Sequence, residues 1–192
     1  MIAIIQYNAG NITSVQNALE RLGYSSIVTD DPKLIQQAEK VIFPGVGEAS
    51  SAMQYFKEKG LDEVIKNLKQ PVLGICLGQQ LLCTFSEEGN TECLGVFDAR
   101  VKKFEPKLKV PHMGWNSVSE LQTDLYKGIS TEENFYFVHS FYAEVSQETT
   151  AVCDYIVPFS ASMQKDNFYA TQFHPEKSSQ AGEQLLLNFL KL

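Results

Sequence analysis

The sequence has little of what marks secreted or membrane proteins. It contains four cysteines in 192 residues and no CxxC pair, a density too low for a disulfide framework. No apolar run is long enough to span a bilayer. The apolar start, Met1 to Ile5, lacks the basic leader of a signal peptide. We therefore expect a cytoplasmic protein whose cysteines stay reduced.

Positive charge is also scarce. The 16 basic residues are outnumbered by 23 acidic ones, the formal net charge is -7, and no Lys/Arg-rich stretch occurs. We therefore do not expect a nucleic-acid backbone as a partner. No Cys, His and carboxylate residues stand at ligand spacing, so we expect neither a metal nor a cofactor. A small polar substrate or another protein fits this composition better.

The apolar content, in contrast, is ample for one compact core. Apolar residues make up 44% of the chain, which suits one globular domain of this length and would be cramped in two. No linker, repeat or low-complexity tract interrupts it. We expect residues 1–192 to form a single domain.

Strand and helix signals alternate through the first part of the chain. Strands without polar alternation, separated by amphipathic helices, predict a mainly parallel sheet covered on both faces. The predicted strands are Ile2 to Tyr7, Ser26 to Thr29, Val41 to Phe43 (ended by Pro44-Gly45) and Val72 to Ile75. Later segments are rich in aromatic and β-branched residues and predict an added antiparallel portion before a last helix. These segments are Ala99 to Phe104, Phe135 to Ala143 and Tyr169 to Phe173, and the helix is Gln180 to Leu190. The predicted class is α/β.

A candidate nucleophile lies where the fourth strand passes into a helix. Gly74-Ile75-Cys76-Leu77-Gly78 has the G-x-nucleophile-x-G form of a nucleophile elbow, in which the glycines permit a sharp, crowded turn. The turn would present Cys76 at a helix N-terminus, where the dipole favours thiolate. The alternative is a buried strand-end cysteine between packing glycines. We interpret Cys83, Cys93 and Cys153 as such buried, small apolar residues.

A cysteine nucleophile needs a base, and the chain has three histidines. His174 follows a predicted strand in Gln172-Phe173-His174-Pro175-Glu176. Proline biases the histidine towards an extended backbone, and Glu176 could bond one ring nitrogen while the other faces the thiol. A lone histidine is usually structural, but this pattern reproduces the nucleophile, base and orienting carboxylate of a triad.

An oxyanion hole is predicted from a second glycine turn. Pro44-Gly45-Val46-Gly47 follows the third strand, which can lie beside the elbow strand in a parallel sheet. Its backbone N–H groups could act with the amide of Leu77 on a developing oxyanion. A plain tight turn and a phosphate loop are the alternatives, although neither glycine-rich phosphate motif is completed.

These motifs together resemble the class I glutamine amidotransferase domain, with a flavodoxin-like fold, over essentially the whole chain. The elbow extended to Leu82 and the tail Gln172–Ser178 carry that resemblance. Pro111-His112-Met113-Gly114-Trp115-Asn116 and Phe137-Val138-His139-Ser140 are more specific. They resemble the glutaminase subunits of imidazole glycerol phosphate synthases, which serve histidine biosynthesis. Gln79, Phe141 and Asn8 depart from residues common in that family, none of them in the triad.

The resemblance implies a role for each matched position. Cys76 is the expected nucleophile, His174 the general base and acid, and Glu176 its orienting carboxylate. The expected substrate and oxyanion residues are Gly47, Leu77, Gln80, Ser140 and Phe141. Glutamine would be hydrolysed through a cysteine thioester to glutamate and ammonia.

The resemblance also implies a partner. Ammonia released into neutral water is mostly protonated, so a sheltered route to an acceptor is expected. The chain is shorter than the ~250 residues of a TIM barrel, so the cyclase subunit of such a synthase would be a separate TIM-barrel polypeptide in a heterodimer. The expected interface residues are Asn11, Met113, Trp115, Asn116 and Lys177. From sequence alone, Trp115 is more simply a core residue.

Three rival functions share parts of this pattern. A sister amidotransferase serving anthranilate or aminodeoxychorismate synthesis would share the triad but not the Pro111–Asn116 segment. A non-catalytic module with a flavodoxin-like fold would not need Cys76. A cysteine peptidase would have no use for the glutamine-binding Gln80.

Overall fold

The computed structural model describes residues 1–7 and 12–192. The helices are α1 (Ile12–Arg21), α2 (Pro32–Gln37), α3 (Ala49–Lys59), α4 (Leu61–Lys66), α5 (Leu77–Leu82) and α6 (Ser179–Leu190). The strands are β1 (Ile2–Ile5), β2 (Ser26–Thr29), β3 (Lys40–Gly45), β4 (Val72–Cys76), β5 (Phe85–Ser86), β6 (Thr91–Glu92), β7 (Arg100–Lys103), β8 (His112–Ser117), β9 (Asn134–His139), β10 (Phe141–Ala143), β11 (Thr149–Tyr155), β12 (Val157–Lys165) and β13 (Phe168–Thr171).

A seven-stranded sheet forms the centre of the fold. Its order is β11-β12-β13-β4-β3-β1-β2, and the strands from β13 to β2 are parallel to one another. β11 and β12 add an antiparallel edge. Two smaller sheets, β10-β7-β5-β6 and the pair β8-β9, complete the structure. The predicted α/β class, mainly parallel with an antiparallel addition, is confirmed.

The central sheet separates two cores because side chains alternate across each strand. On β1, Ala3 and Ile5 face one core, and Ile2 and Ile4 face the other. The first core receives the apolar sides of α2, α3, α4 and α5. The second receives those of α1 and α6. No helix among the described residues is long and apolar enough to cross a membrane.

Local signals set the helix ends. Asp31 caps α2 by accepting a hydrogen bond from the Lys33 N–H at 2.8 Å, and Pro32 occupies the first helical turn. Gly60 separates α3 from α4 in a left-handed conformation, φ 66°. Both features follow the general residue preferences of helix ends.

β3 continues through Pro44 and Gly45, which the sequence predicted to end it. Proline is tolerated there because β1 pairs with β3 only as far as Ile42. The Pro44 carbonyl instead accepts a hydrogen bond from the Tyr7 hydroxyl at 2.7 Å. No strand partner therefore needs the N–H that proline lacks, and β3 reaches the level of Cys76, which pairs with Gly45.

The second half differs from prediction in two ways. The segment predicted at Tyr169 to Phe173 forms β13, which pairs in parallel with β4 and antiparallel with β12. It is therefore part of the central sheet. The hairpin β11-β12 was not predicted. Its corner is Ile156 at φ 63°, and a β-branched residue there has none of the usual hairpin signals.

Gly78 allows α5 to pack against β3. A Cβ at this position would lie 1.9 Å from the Phe43 carbonyl oxygen, which is backbone and cannot move aside. We expect Gly78→Ala to lower the free energy of unfolding by about 3 kcal/mol or more, measured by urea denaturation.

Gly95→Ala is the matched control for this substitution. Gly95 has open space around its Cβ position and φ 70°, so alanine there carries only the left-handed backbone cost of about 1–2 kcal/mol. Equal losses in the two variants would contradict close packing at Gly78.

Candidate active site

Cys76 lies at the sharp turn between β4 and α5. Its backbone has φ 55° and ψ -107°, an unusual conformation for a non-glycine residue and one associated with functional strain. The flanking glycines allow it: a Cβ on Gly74 would lie 3.0 Å from the backbone of Gly78. The side chain of Cys76 is 6% exposed. The turn therefore presents the thiol at the sheet edge where the parallel strands end.

His174 reaches Cys76 through the pairing of β13 with β4. The two strands are parallel, with Thr171 opposite Ile75, so the residues that follow them emerge at the same edge. The His174 N–H donates to the Tyr136 carbonyl at 2.9 Å. Cys76 lies close enough to the His174 imidazole to raise the pKa of that ring. Two residues far apart in the sequence thus meet at one point.

Glu176 completes the arrangement from a short 3₁₀ turn, Pro175–Lys177. Its Oε1 lies 2.8 Å from Nδ1 of His174, and both side chains are buried. This leaves Nε2 of the imidazole for the thiol. Burial opposes protonation, but attraction and hydrogen bonding to Cys76, together with Glu176, raise the pKa of His174 well above its usual range. The imidazolium form is therefore favoured.

A cleft of about 300 Å³ opens above the thiol. All five predicted substrate and oxyanion residues line it: Gly47, Leu77, Gln80, Ser140 and Phe141. His174 and Glu176 are buried and are not among the residues that line it. The structure thus brings the predicted groups together around Cys76.

The predicted oxyanion residue Gly47 lies just after the end of β3 and lines the cleft. Gly47 is exposed and has φ 135°, a conformation open to glycine and rarely adopted by other residues. Tyr7, absent from the predicted site, anchors this strand through its bond to Pro44. Tyr7 also favours glycine at position 45, because a Cβ there would lie 1.9 Å from the Tyr7 hydroxyl.

A chain of side-chain amides connects the Phe141 carbonyl, at the lining of the cleft, to the Cys76 thiol. Nε2 of Gln80 donates to the Phe141 carbonyl and to Oε1 of Gln172, each at 2.9 Å. Nε2 of Gln172 lies 3.6 Å from the Cys76 sulfur. The sequence marked Gln172 only as a member of a motif, yet its buried amide touches the Cys76 sulfur.

Glu88 is the other residue of the cleft that sequence reasoning missed. It is the only carboxylate among the described residues that line the cleft. Its Oε2 accepts the Ala49 N–H at 2.8 Å. Burial raises its pKa, while the bond from Ala49 lowers it. It lies in a turn between two short strands, where charged residues are common, so the sequence carried no signal for it.

Among the described residues predicted at the interface, Met113, Trp115 and Asn116 lie on β8, and Lys177 lies in the 3₁₀ turn that holds Glu176. Met113 and Trp115 are 57% and 55% exposed, so the interpretation of Trp115 as core is wrong. Asn116 is partly exposed, and Lys177 is exposed. Asn11 lies outside the described residues, as does Asn8.

The remaining cysteines lie away from the cleft and form no disulfide. Cys83 and Cys153 are buried as expected, whereas Cys93 is only partly buried. Gln79, which stands where the family usually has methionine, is fully buried and donates to the Ser160 carbonyl at 2.9 Å. No three His, Cys, Asp or Glu residues of the described chain are grouped as metal ligands would be.

Residues 3–192 match the family model for class-I glutamine amidotransferases. The chain belongs to this family. The amidotransferase is similar to two proteins named "Imidazole glycerol phosphate synthase subunit HisH", with 60% identity in Bacteroides fragilis and 57% in Bacteroides thetaiotaomicron. In both cases the match covers 100% of this chain and 99% of the relative. The resemblance to this family is therefore confirmed.

Solved structures of more distant proteins share the fold of this amidotransferase. One is a glutamine amidotransferase of Thermotoga maritima, with a TM-score of 0.67 and 17% identity over 99% of this chain and 82% of that one. Another is the glutaminase domain of Trypanosoma brucei CTPS with bound acivicin, with a TM-score of 0.67 and 16% identity over 99% of this chain and 93% of that one. Likeness at this level of identity supports the fold alone.

Proposed function

We propose that this amidotransferase is the glutaminase subunit of an imidazole glycerol phosphate synthase. It hydrolyses glutamine at Cys76 and delivers the ammonia to a cyclase subunit for histidine biosynthesis. The observation that carries the proposal is the buried His174–Glu176 pair, joined at 2.8 Å, with its imidazole close to Cys76 of the cleft. The relatives named HisH match over their full length, and their name is the basis for assigning this chain to an imidazole glycerol phosphate synthase.

The first half-reaction forms a thioester. The Cys76 sulfur attacks the side-chain carbonyl carbon of glutamine, and the carbonyl oxygen becomes an oxyanion facing Leu77 and Gly47. Collapse of this intermediate breaks the C–N bond, and the His174 imidazolium gives its proton to the leaving nitrogen. Ammonia departs, and the glutamyl group stays on sulfur. The raised pKa of His174 suits this step because the ring begins it protonated.

The second half-reaction returns the enzyme to its starting state. Neutral His174 takes a proton from water, whose oxygen attacks the thioester carbonyl. The C–S bond then breaks, glutamate leaves, and the thiolate of Cys76 faces the imidazolium again. Glu176 holds Nδ1 throughout, so Nε2 remains the nitrogen that exchanges protons.

Glu88 is the group that complements the amino-acid end of glutamine. That end carries an ammonium, and Glu88 is the one carboxylate among the described residues of the cleft wall. One of its oxygens is anchored by the Ala49 N–H, so the carboxylate is held in place before substrate binds. An opposite charge in a half-buried site favours glutamine over amides that lack the ammonium.

We expect Glu88→Gln to raise KM for glutamine by about ten- to a hundredfold, because one charge-assisted contact is lost. The turnover number should change much less, since the ammonium lies away from the reacting carbonyl. Steady-state glutamate release measures both. Glu92→Gln removes the same charge from an exposed position outside the cleft and should leave KM unchanged. A change in kcat alone for Glu88→Gln would contradict this role.

Met113 and Trp115 are the surface that we assign to the cyclase. Aromatic and methionine side chains are enriched in interface cores, and these two project from β8 into solvent. Lys177 follows Glu176 directly, so the same contact would reach the triad turn. A cyclase docked here would cover the site and receive ammonia before it meets water. We expect this assembly in the cytoplasm, where its cysteines stay reduced.

The proposal is tested by glutamate production from the purified chain, on its own and with a candidate cyclase loaded with its nucleotide substrate. We expect slow turnover on its own and a marked rise with the loaded partner. Equal rates would defeat the coupling. Activation by an anthranilate synthase component instead of the cyclase would identify a sister amidotransferase.

A further inference from the structure

Two buried histidines that the proposed mechanism does not use face each other beside the cleft. His112 on β8 is paired with His139 on β9. Nδ1 of His112 lies 3.0 Å from Nε2 of His139. The two residues are 4% and 5% exposed. Two imidazoles can share such a hydrogen bond only when one donates and the other accepts.

The neighbouring groups determine which ring donates. Nδ1 of His139 lies 2.7 Å from the Phe141 carbonyl oxygen, which can only accept, so this nitrogen carries hydrogen. Burial is the main cause that lowers the pKa of His139 to about 3 and that of His112 to about 4. Both rings are therefore neutral near pH 7, and Nε2 of His139 is an acceptor. Nδ1 of His112 must then donate to it.

The order continues to the other side of His112. With its hydrogen on Nδ1, the Nε2 of this ring is an acceptor, and the amide nitrogen of Asn116 lies 3.4 Å away. The hydrogen bonds thus run in one direction, from Asn116 through His112 and His139 to Phe141. Both histidines hold hydrogen on Nδ1, the less common tautomer of a neutral imidazole in water.

Ring packing prevents either imidazole from turning away. His112 stacks on Tyr155 with a centroid distance of 4.0 Å and an interplanar angle of 15°, and on Phe137 at 4.9 Å. His139 packs against Phe104 at 5.3 Å and against Phe159 at 5.1 Å. The pair is therefore a rigid support.

The Phe141 carbonyl connects the histidine pair to the residues that line the cleft. The same oxygen that accepts from His139 also accepts from Nε2 of Gln80 at 2.9 Å. Gln80, Phe141 and His139 all line the cleft. A shift of the carbonyl would release the Gln80 amide, whose other bond leads to Gln172 beside the thiol.

We propose that His139, held in its tautomer by His112, is a positioning residue that fixes the Phe141 carbonyl and with it the Gln80 amide for glutamine binding. This inference rests on the proposed glutaminase function, because its kinetic effect is on glutamine. It assigns both histidines a task outside the proton transfers, which belong to His174.

Two substitutions at one position separate positioning from packing. An asparagine amide reproduces the place of Nδ1, so His139→Asn keeps a donor for Phe141. A glutamine amide reproduces Nε2, so His139→Gln loses that donor. With the cyclase present, we expect His139→Gln to raise KM for glutamine about tenfold with kcat nearly unchanged. His139→Asn should keep KM within about threefold of the wild type, as for a retained hydrogen bond. Equal KM values in the two variants would overturn the proposal.

A measurement on the wild-type chain keeps the test decisive if a variant does not fold. Nitrogen NMR shifts of the imidazoles report which ring nitrogen carries hydrogen. We expect Nδ1–H for both His112 and His139, and an Nε2–H tautomer of His139 would overturn the proposal. This result does not depend on glutaminase activity. A wild type that forms no glutamate with its loaded partner would contradict the proposed function alone.

Discussion

Replacement of Cys76 by alanine is expected to abolish glutamine hydrolysis, lowering kcat by on the order of 10³–10⁶-fold. In the proposed mechanism the thiol forms the covalent bond of the reaction, and no other cysteine lines the cleft in the described structure. The residual rate would come only from binding and the oxyanion groups. Glutamate release by the assembled synthase measures the loss.

The same variant separates chemistry from assembly. Alanine fits the turn at Cys76 because it is smaller, so the complex should still form. Imidazole product should then still be made when ammonia is added, because the cyclase reaction is untouched. Cys93→Ala is the matched control, since Cys93 is partly buried and lies away from the cleft. Undiminished glutamine-dependent transfer in Cys76→Ala would instead support a non-catalytic scaffold.

Replacement of Glu176 by glutamine is expected to lower kcat by about 10²–10⁴-fold with little change in folding. The amide keeps the size of the carboxylate but can donate to Nδ1 of His174. That would move the ring hydrogen to Nε2, the nitrogen that must accept a proton. Glu63→Gln is the matched control, because Glu63 is exposed on α4 and forms only a surface ion pair with Lys66. A kcat near that of the wild type would contradict the role of Glu176.

This substitution also has a defined effect on the pH profile. The pKa of His174 is raised in the folded chain because Cys76 and Glu176 favour the imidazolium against the effect of burial. The protonated ring therefore adds to the stability of the folded chain. This contribution is complete below the ordinary histidine pKa and is lost as pH rises through the raised pKa. Loss of the Glu176 charge lowers that upper value. We expect the alkaline limit of the residual activity to move to lower pH, and a move to higher pH would contradict the role of the Glu176 charge.

Local signals made Cys76 and His174, the proposed nucleophile and base, visible in the sequence. The glycines around Cys76 are required by close backbone contacts, and His174-Pro175-Glu176 places base and carboxylate within one turn. The first four strands of the parallel series were equally readable, because each is short and followed by an amphipathic helix, whereas the parallel β13 was predicted in the antiparallel portion. Features encoded within a few residues were thus predictable, whereas the role of each residue remains a prediction for kinetics.

Features that depend on distant contacts were not readable. Glu88 reaches the cleft only because a short antiparallel pair folds against α3, where it caps Ala49. His112 and His139 are visible in the sequence only as motif members, and their contact depends on the register of β8 with β9. β8 itself holds glycine and asparagine, which strands disfavour. These parts of the site form because distant strands pair with one another, and the strand propensity of their residues does not reveal them.

Reaction with an electrophilic glutamine analogue, followed by peptide mass measurement, tests most directly that Cys76 is the thiol that attacks glutamine. We predict a covalent adduct on Cys76 that excess glutamine prevents and that Glu88→Gln slows. Cys93, although more exposed, should stay unmodified at analogue concentrations that label Cys76 fully. An adduct confined to Cys93, or one on Cys76 that glutamine does not prevent, would contradict the assignment of Cys76 as the nucleophile.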